Sequence, residues 1–153
     1  MISLNSNNNS NDLAELSLSA EYAKIRNAST WLAQTCADLS VPISEINRLD
    51  ICLNEALANI IEHGGCEVKL SPIKLKIQIV HDSLSNVLTV TLSDKGKPFN
   101  PLTYKQKNRA NLLEDTEPGG LGLTMMKEFV DELSYIYSNE SNHLSFSVRW
   151  SKD

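Results

Sequence analysis

Two runs of alternating apolar and polar residues, Ile73 to Val80 and Val87 to Leu92, stand one short turn apart. This pair constrains the fold more than any other feature of the chain. A period of two places Ile73, Leu75, Ile77 and Ile79 on one face of a strand and Lys74, Lys76 and Gln78 on the other. The turn-forming segment Asp82 to Asn86 between the runs predicts an antiparallel hairpin. A hairpin with one apolar face has to be covered, and sequence able to cover it lies upstream. Tyr22, Ile25, Ala28, Trp31, Leu32 and Leu39 recur at helical spacing, with Ser19 placed to cap that helix and Val41-Pro42 to end it. A second helix runs from about Ser44 with Ile46, Leu49, Leu53, Leu57, Ile60 and Ile61 on one side, and stops at Gly64-Gly65. Leu13 to Ser19 predicts a short first strand, residues 121 to 131 a third helix, and Leu133 to Ser138 and His143 to Ser151 two closing strands. The order is β-α-α-β-β-loop-α-β-β. The expected class is α+β: a two-layer sandwich whose mixed, mainly antiparallel sheet carries helices on one face.

The bulk numbers set limits on function. The 153 residues fit one domain, read as 12–153 behind a disordered Asn/Ser-rich leader of residues 1–11. That leader has no basic start and no apolar core, so it is not a secretory signal. No stretch of eighteen consecutive apolar residues is present, which argues against a membrane partner. A net charge of −5 argues against a general nucleic-acid binder. Lys95, Lys97, Lys105, Lys107 and Arg109 nevertheless cluster locally. Three widely spaced cysteines with no C-x-x-C pattern suggest neither a zinc knuckle nor a redox pair, and Cys36 and Cys52 fall on apolar stripes as small core residues. A reducing cytoplasm is the natural compartment.

Three short stretches carry chemistry. Glu55 and Asn59 stand four apart on the second helix and so share a face at the edge of its apolar stripe. An Asn carbonyl is a hard oxygen donor suited to Mg2+, and a carboxylate one turn away can take a proton from an attacking hydroxyl. Asp94 ends a strand and is followed by Gly96. A carboxylate there can accept from the exocyclic amine of a purine, and the glycine admits the base closely, with Phe99 packing beneath. Gly119-Gly120-Leu121-Gly122-Leu123 precedes a helix, where backbone N–H groups and the helix dipole favour phosphate. It is neither a Walker loop nor a dinucleotide fingerprint. The loop from Ser93 to Gly120 is long for a compact domain, as functional loops often are.

Taken together, the three stretches resemble the motifs of the histidine-kinase-like (GHKL, Bergerat-fold) ATPase superfamily. Its N box resembles Glu55 to Gly64, its first glycine box Asp94 to Pro101, and its second Gly119 to Leu123. Within that group the chain is most similar to the anti-sigma-factor serine/threonine kinases. These share the Asn-to-His-Gly ending of the N box, the Phe-x-Pro after the first glycine box, and the Gly-Leu-Gly-Leu leading to Asp131-Glu132-Leu133-Ser134-Tyr135. The similarity extends from about Leu13 to the C-terminus.

The resemblance implies roles. Glu55 is the expected catalytic base, Asn59 the magnesium ligand and Asp94 the adenine reader. Gly96, Phe99, Gly119, Gly120, Leu121, Gly122 and Leu123 shape a pocket for ATP or ADP, with residues 101 to 118 as a lid. Arg26 and Arg109 are the expected phosphate or partner contacts. His63 matches the family residue and reads physically as a packing or capping group at a helix end. The implied activity is ATP-dependent phosphorylation of a serine on an anti-anti-sigma (STAS-domain) protein by an enzyme that also sequesters a sigma factor. The implied state is a homodimer. The alternative is a non-catalytic ATP- or ADP-binding module that regulates by protein contact alone. An isolated ATPase core of a sensor histidine kinase ranks below both.

Overall fold

The computed structural model describes residues 11–103 and 122–152, with side chains described over 13–103 and 126–152. The leader through residue 10, the segment 104–121 and residue 153 lie outside the described residues. Strand β1 spans Asn11–Leu18, helix α1 Ile25–Asp38, helix α2 Ile43–His63, strand β2 Ile73–His81 and strand β3 Ser85–Asp94. Helix α3 spans Gly122–Phe129, strand β4 Glu132–Ser138 and strand β5 Ser141–Ser151. The strands form one sheet in the order β1-β2-β3-β5-β4.

Every described pairing is antiparallel, so the expected mixed character is absent from this sheet. The reason lies in the connections. A pair of helices, α1 followed by α2, returns the chain to the end of the sheet at which β1 finishes, where Leu18 faces Ile73, so β2 runs opposite to β1. Tight turns make the other sequential pairs antiparallel. In the β2–β3 turn, Asp82 Oδ1 accepts from the Leu84 and Ser85 N–H groups at 2.8 and 2.7 Å. The β4–β5 turn places Asn139 and Glu140 at φ 51° and 59°, the two positive values that a type I′ hairpin turn requires.

Alternation decides which face is buried. In β3, Leu88, Val90, Leu92 and Asp94 are buried while their neighbours are half-exposed. In β5, Asn142, Leu144, Phe146 and Val148 keep the same phase. The buried phase meets Leu32 of α1, Leu49, Leu53 and Leu57 of α2, and Met126 of α3, all fully buried. Cys36 and Cys52 belong to this core as expected. The opposite face of the sheet is lined by Lys74, Lys76, Thr89, Thr91, Ser93, His143 and Ser145, and no helix covers it among the described residues.

Some boundaries differ from expectation. Ser19 does not cap the first helix. Its hydroxyl bonds Glu21 at 2.5 Å, and a single 3-10 turn, Tyr22–Lys24, intervenes before α1. Competition from a nearby carboxylate diverts the hydroxyl from the backbone. A second 3-10 turn, Cys66–Leu70, follows α2 and buries Val68. Among the described residues no helix is long and apolar enough to cross a membrane.

Candidate nucleotide and phosphoryl-transfer site

Helix α2 has two chemically different edges. Arg48, Cys52, Glu55 and Asn59 follow one another at spacings of four, three and four, so they lie along one edge. That edge faces α3. Arg48 Nε donates to the Phe129 carbonyl at 2.6 Å, and Arg48 Nη2 to Asp131 Oδ1 at 3.0 Å. A guanidinium at the last carbonyls of α3 also complements the helix dipole. Asp131 in turn accepts from the Arg149 N–H at 2.6 Å, which ties α3, β5 and α2 together. The other edge of α2 faces α1, where Asn54 Nδ2 donates to Ser29 Oγ at 2.9 Å.

On the α3-facing edge two side chains are left with functional capacity. Asn59 is only 6% exposed and its amide makes no hydrogen bond among the described residues. Asp50 Oδ1 is the one fully buried, unpartnered side-chain polar atom among the described residues, so the unbonded Asn59 amide is reached by water and equally open to a ligand's oxygens or a hydrated cation. Glu55, one turn earlier, is half-buried and likewise unbonded among the described residues. Its carboxylate lies close enough to Cys52 that its charge adds to the effect of burial in pushing that thiol far above its usual range.

Asp94 sits at the end of β3 in the core phase, 5% exposed. Its Oδ1 accepts from the Gly96 N–H at 2.9 Å and from Asn142 Nδ2 at 3.1 Å. Oδ2 has no partner among the described residues and remains an acceptor. Burial raises the Asp94 carboxyl above its ordinary value; the Gly96 N–H, Asn142 and the charge of His143 oppose that rise without cancelling it.

Asn142 was not singled out in the sequence, yet it organises this corner. It faces Asp94 directly across the β3–β5 ladder. Besides Asp94, its Nδ2 lies within hydrogen-bond distance of the Gly96 and Lys97 carbonyls at 3.2 and 3.0 Å. Its Oδ1 accepts from the Phe99 N–H at 3.1 Å and from the Tyr135 hydroxyl. One amide therefore shapes the whole turn from Gly96 to Phe99. The available signal was a polar residue in the apolar phase of its strand, two positions before Leu144. Asn142→Ala removes the Oδ1 acceptor of the part-buried Phe99 N–H and Tyr135 hydroxyl together with the Nδ2 donor to buried Asp94. It is expected to cost about 2–4 kcal/mol of unfolding free energy, read as a lower urea midpoint.

The N-box helix and the first glycine box meet at their ends. The Lys97 N–H donates to the Gly64 carbonyl at 3.0 Å. A Cβ on Gly96 would stand 2.9 Å from Gly64 Cα, from Gly64 O and from Asp94 Oδ1, so only glycine permits this approach. The rings of His63 and Phe99 stack with centroids 4.3 Å apart and planes 11° from parallel. His63 is thus a packing group at a helix end, as its sequence position implied. Asn59 lies five residues, about 7.5 Å of helix rise, before the point where Gly64 touches Gly96.

The structure therefore brings Asp94, Gly96 and Phe99 to the C-terminal end of α2, with Asn59 and Glu55 five and nine residues before Gly64 on that helix. Gly122 and Leu123 open α3, whose far end Arg48 clamps against the Glu55–Asn59 edge of α2. Gly119, Gly120, Leu121, Arg109 and the expected lid lie outside the described residues. Arg26 is exposed on the first turn of α1, and its side chain makes no hydrogen bond or ion pair among the described residues.

The expected ligands can be weighed against these residues. Among the described residues no three His, Cys, Asp or Glu side chains cluster to hold a metal. Mg2+ needs few protein ligands when phosphates and water supply the rest, and the unpartnered Asn59 amide fits that role. Asp94 Oδ2 beside the side-chain-free Gly96 fits a purine amine.

Comparison with known proteins identifies the family and the fold. Residues 18–148 match the histidine kinase-like ATPase domain family. The serine/threonine-protein kinase BtrW of Bordetella bronchiseptica is 30% identical over 99 residues, covering 65% of this chain and 67% of that protein. An anti-sigma F factor of a Thermoanaerobacter species is 31% identical over 106 residues, covering 69% of this chain and 71% of that protein. The serine-protein kinase RsbW of Bacillus subtilis is 23% identical over 151 residues, covering 94% and 87%. Among solved structures, one containing RsbU and RsbW domains of a Mycobacterium tuberculosis protein superposes with a TM-score of 0.65 at 17% identity. The superposition covers 92% of this chain and 33% of that one, so this chain spans about a third of that protein's length. The histidine kinase domain of a blue-light activated kinase from Erythrobacter litoralis gives 0.51 at 12% identity, covering 94% and 65%. These two likenesses establish the fold. With the family match over most of its length and relatives at this identity, the chain belongs to the histidine kinase-like ATPase family, in its branch of anti-sigma-factor serine/threonine kinases.

Proposed function

We propose that this protein is an ATP-dependent serine/threonine kinase and anti-sigma factor that phosphorylates an anti-anti-sigma, STAS-domain partner and regulates transcription by partner switching. The observation that carries the reading is the Asn59 amide, on a residue only 6% exposed and with no hydrogen bond among the described residues, one turn from Glu55 on the α3-facing edge of α2. ATP is the phosphoryl donor. Asp94 Oδ2 accepts from the adenine amine, Gly96 lets the ring approach, and Asn142 holds Asp94 and the 96–99 turn in place. Asn59 would hold Mg2+, which when bound neutralises charge on the phosphate oxygens.

Glu55 accepts the proton of the partner's serine hydroxyl. The serine Oγ then bonds to the γ-phosphorus as the bond from that phosphorus to the β-bridging oxygen breaks, leaving ADP. Gly119 to Leu123 supply backbone N–H groups to the phosphates, with Arg109 or Arg26 as further contacts. In this reading the same protein sequesters a sigma factor, and the nucleotide state biases which partner is held. A homodimer is supported by β1, which lies at the edge of the sheet. The cytoplasm is the compartment such partners require.

Incubation with γ-labelled ATP and a STAS-domain protein tests the proposal. Label is expected on a serine of the partner, with ADP formed in equal amount. Tight ATP binding with no labelled partner would replace the kinase with the non-catalytic module.

A further inference from the structure

The uncovered face of the sheet carries a cavity that adjoins the proposed nucleotide site at Asp94. Its volume is about 470 Å³, and Lys74, Lys76, Lys95, Ser93, His143 and Glu15 line it. The arrangement follows from the ladder. Lys74 faces Ser93, and Ser93 faces His143, across three neighbouring strands. Alternation puts all three on the side opposite Asp94 and Asn142. Ser93 Oγ and His143 Nδ1 are 2.8 Å apart, which leaves imidazole Nε2 without a partner among the described residues. Two acids border it: Glu15 is paired with Lys76 at 3.5 Å, and Asp94, whose side chain alternation turns to the helix face, is held there by Gly96 and Asn142. Lys74 and Lys95 have no ion-pair partner among the described residues.

Two uncompensated ammonium groups, a third shared with Glu15, a hydroxyl and an imidazole therefore converge on one concave surface of a chain whose net charge is −5. Such a donor-rich lining, with two ammonium groups outside any ion pair among the described residues, matches a compact oxyanion with several acceptor oxygens. Lysine is a point-charge partner of phosphate rather than a planar one, so it suits a group approached from several directions. We infer that this cavity is a second ligand site, which binds a phosphate group, either free orthophosphate or a small phosphate monoester. It stands one residue away, through the sheet, from the pair that holds the proposed purine reader: Ser93 and His143 on one face, Asp94 and Asn142 on the other. The inference does not depend on the kinase reading: Asp94 borders the cavity, but the proposed donors Lys74, Lys95, Ser93 and His143 have no part in the phosphoryl-transfer site.

The test is titration of the full chain with sodium phosphate and, separately, with O-phosphoserine, at constant ionic strength held with chloride. The ring signals of His143, His81 and His63 are followed by NMR. The His143 signals are expected to shift and saturate while those of His81, at the far end of β2, stay put. The double substitution Lys74→Gln and Lys95→Gln, at two exposed positions, should weaken the apparent affinity about tenfold or more. The tighter of the two ligands identifies the source of the phosphate. Absence of a saturable His143 shift, equal movement of His81, or an unchanged affinity in the double variant overturns the inference. A shift at His63 that survives the double variant reports phosphate in the nucleotide pocket and does not count as support.

Discussion

Replacing Glu55 with Gln is expected to lower phosphoryl transfer to the partner by about 10²–10⁴-fold while ATP affinity stays within about threefold. The substitution is isosteric. Glu55 has no hydrogen bond among the described residues that the amide would break, and it is only half-buried, so the fold should persist. What changes is the ability to take a proton. A base acts in the transition state and adds little to ground-state nucleotide binding, so the loss should fall on the rate and not on the dissociation constant. Single-turnover transfer of labelled phosphate, beside calorimetric titration with ATP, separates the two quantities. Transfer at the wild-type rate removes Glu55 from the role of base. Loss of ATP binding along with the rate would instead make Glu55 a nucleotide contact.

The second large effect is expected from Asp94→Asn. Asparagine can still accept from the Gly96 N–H and from Asn142 through its oxygen, so the corner should stay assembled. Its other terminal atom becomes a donor, facing the amine that Asp94 Oδ2 is proposed to bind. Losing a hydrogen bond to a charged acceptor and gaining a donor–donor clash costs about 1.5–3 kcal/mol or more, so ATP and ADP should bind at least about 10- to 150-fold more weakly.

The unliganded protein should respond in the opposite direction. Because burial raises the Asp94 carboxyl above its ordinary 3.8, the folded state binds this proton more tightly than the unfolded state does. Stability contributed by this group is therefore greatest below 3.8, falls as pH rises from there through the raised folded value, and is level above it. Asp94→Asn has no such titration. Its unfolding free energy relative to wild type should grow across that window and remain at or above wild type at neutral pH, as urea unfolding between acid and neutral pH can read. A variant that binds nucleotide normally would end the purine assignment. One that is less stable than wild type at neutral pH would show that the carboxylate is a net structural support.

Both expectations rest on a site whose parts were unequally legible beforehand. Glu55 and Asn59 were readable as a pair because four residues on a helix define a face without reference to the rest of the chain. Asp94 was readable because strand alternation ends there and Gly96 follows. Asn142 was in the right phase of β5, but a polar residue in an apolar phase has no meaning until its partner across the ladder is known. Arg48 gave no sign of its role, since its partners Phe129 and Asp131 lie 81 and 83 positions away. Ser19 misled, because a nearby carboxylate drew its hydroxyl away from the helix it was placed to cap.

Local periodicity and turn chemistry determined the strands, the helices, their order and the residues able to carry phosphate chemistry, since each is a property of a few consecutive positions. Only the tertiary structure decided that Gly64 and Gly96 touch, that Asn142 holds Asp94, that Arg48 fastens α3 to the working edge of α2, and that three lysines gather on the open face of the sheet. Those pairings join residues far apart in the chain. Their energies depend on burial and on distances that no stretch of sequence contains until the sheet has closed.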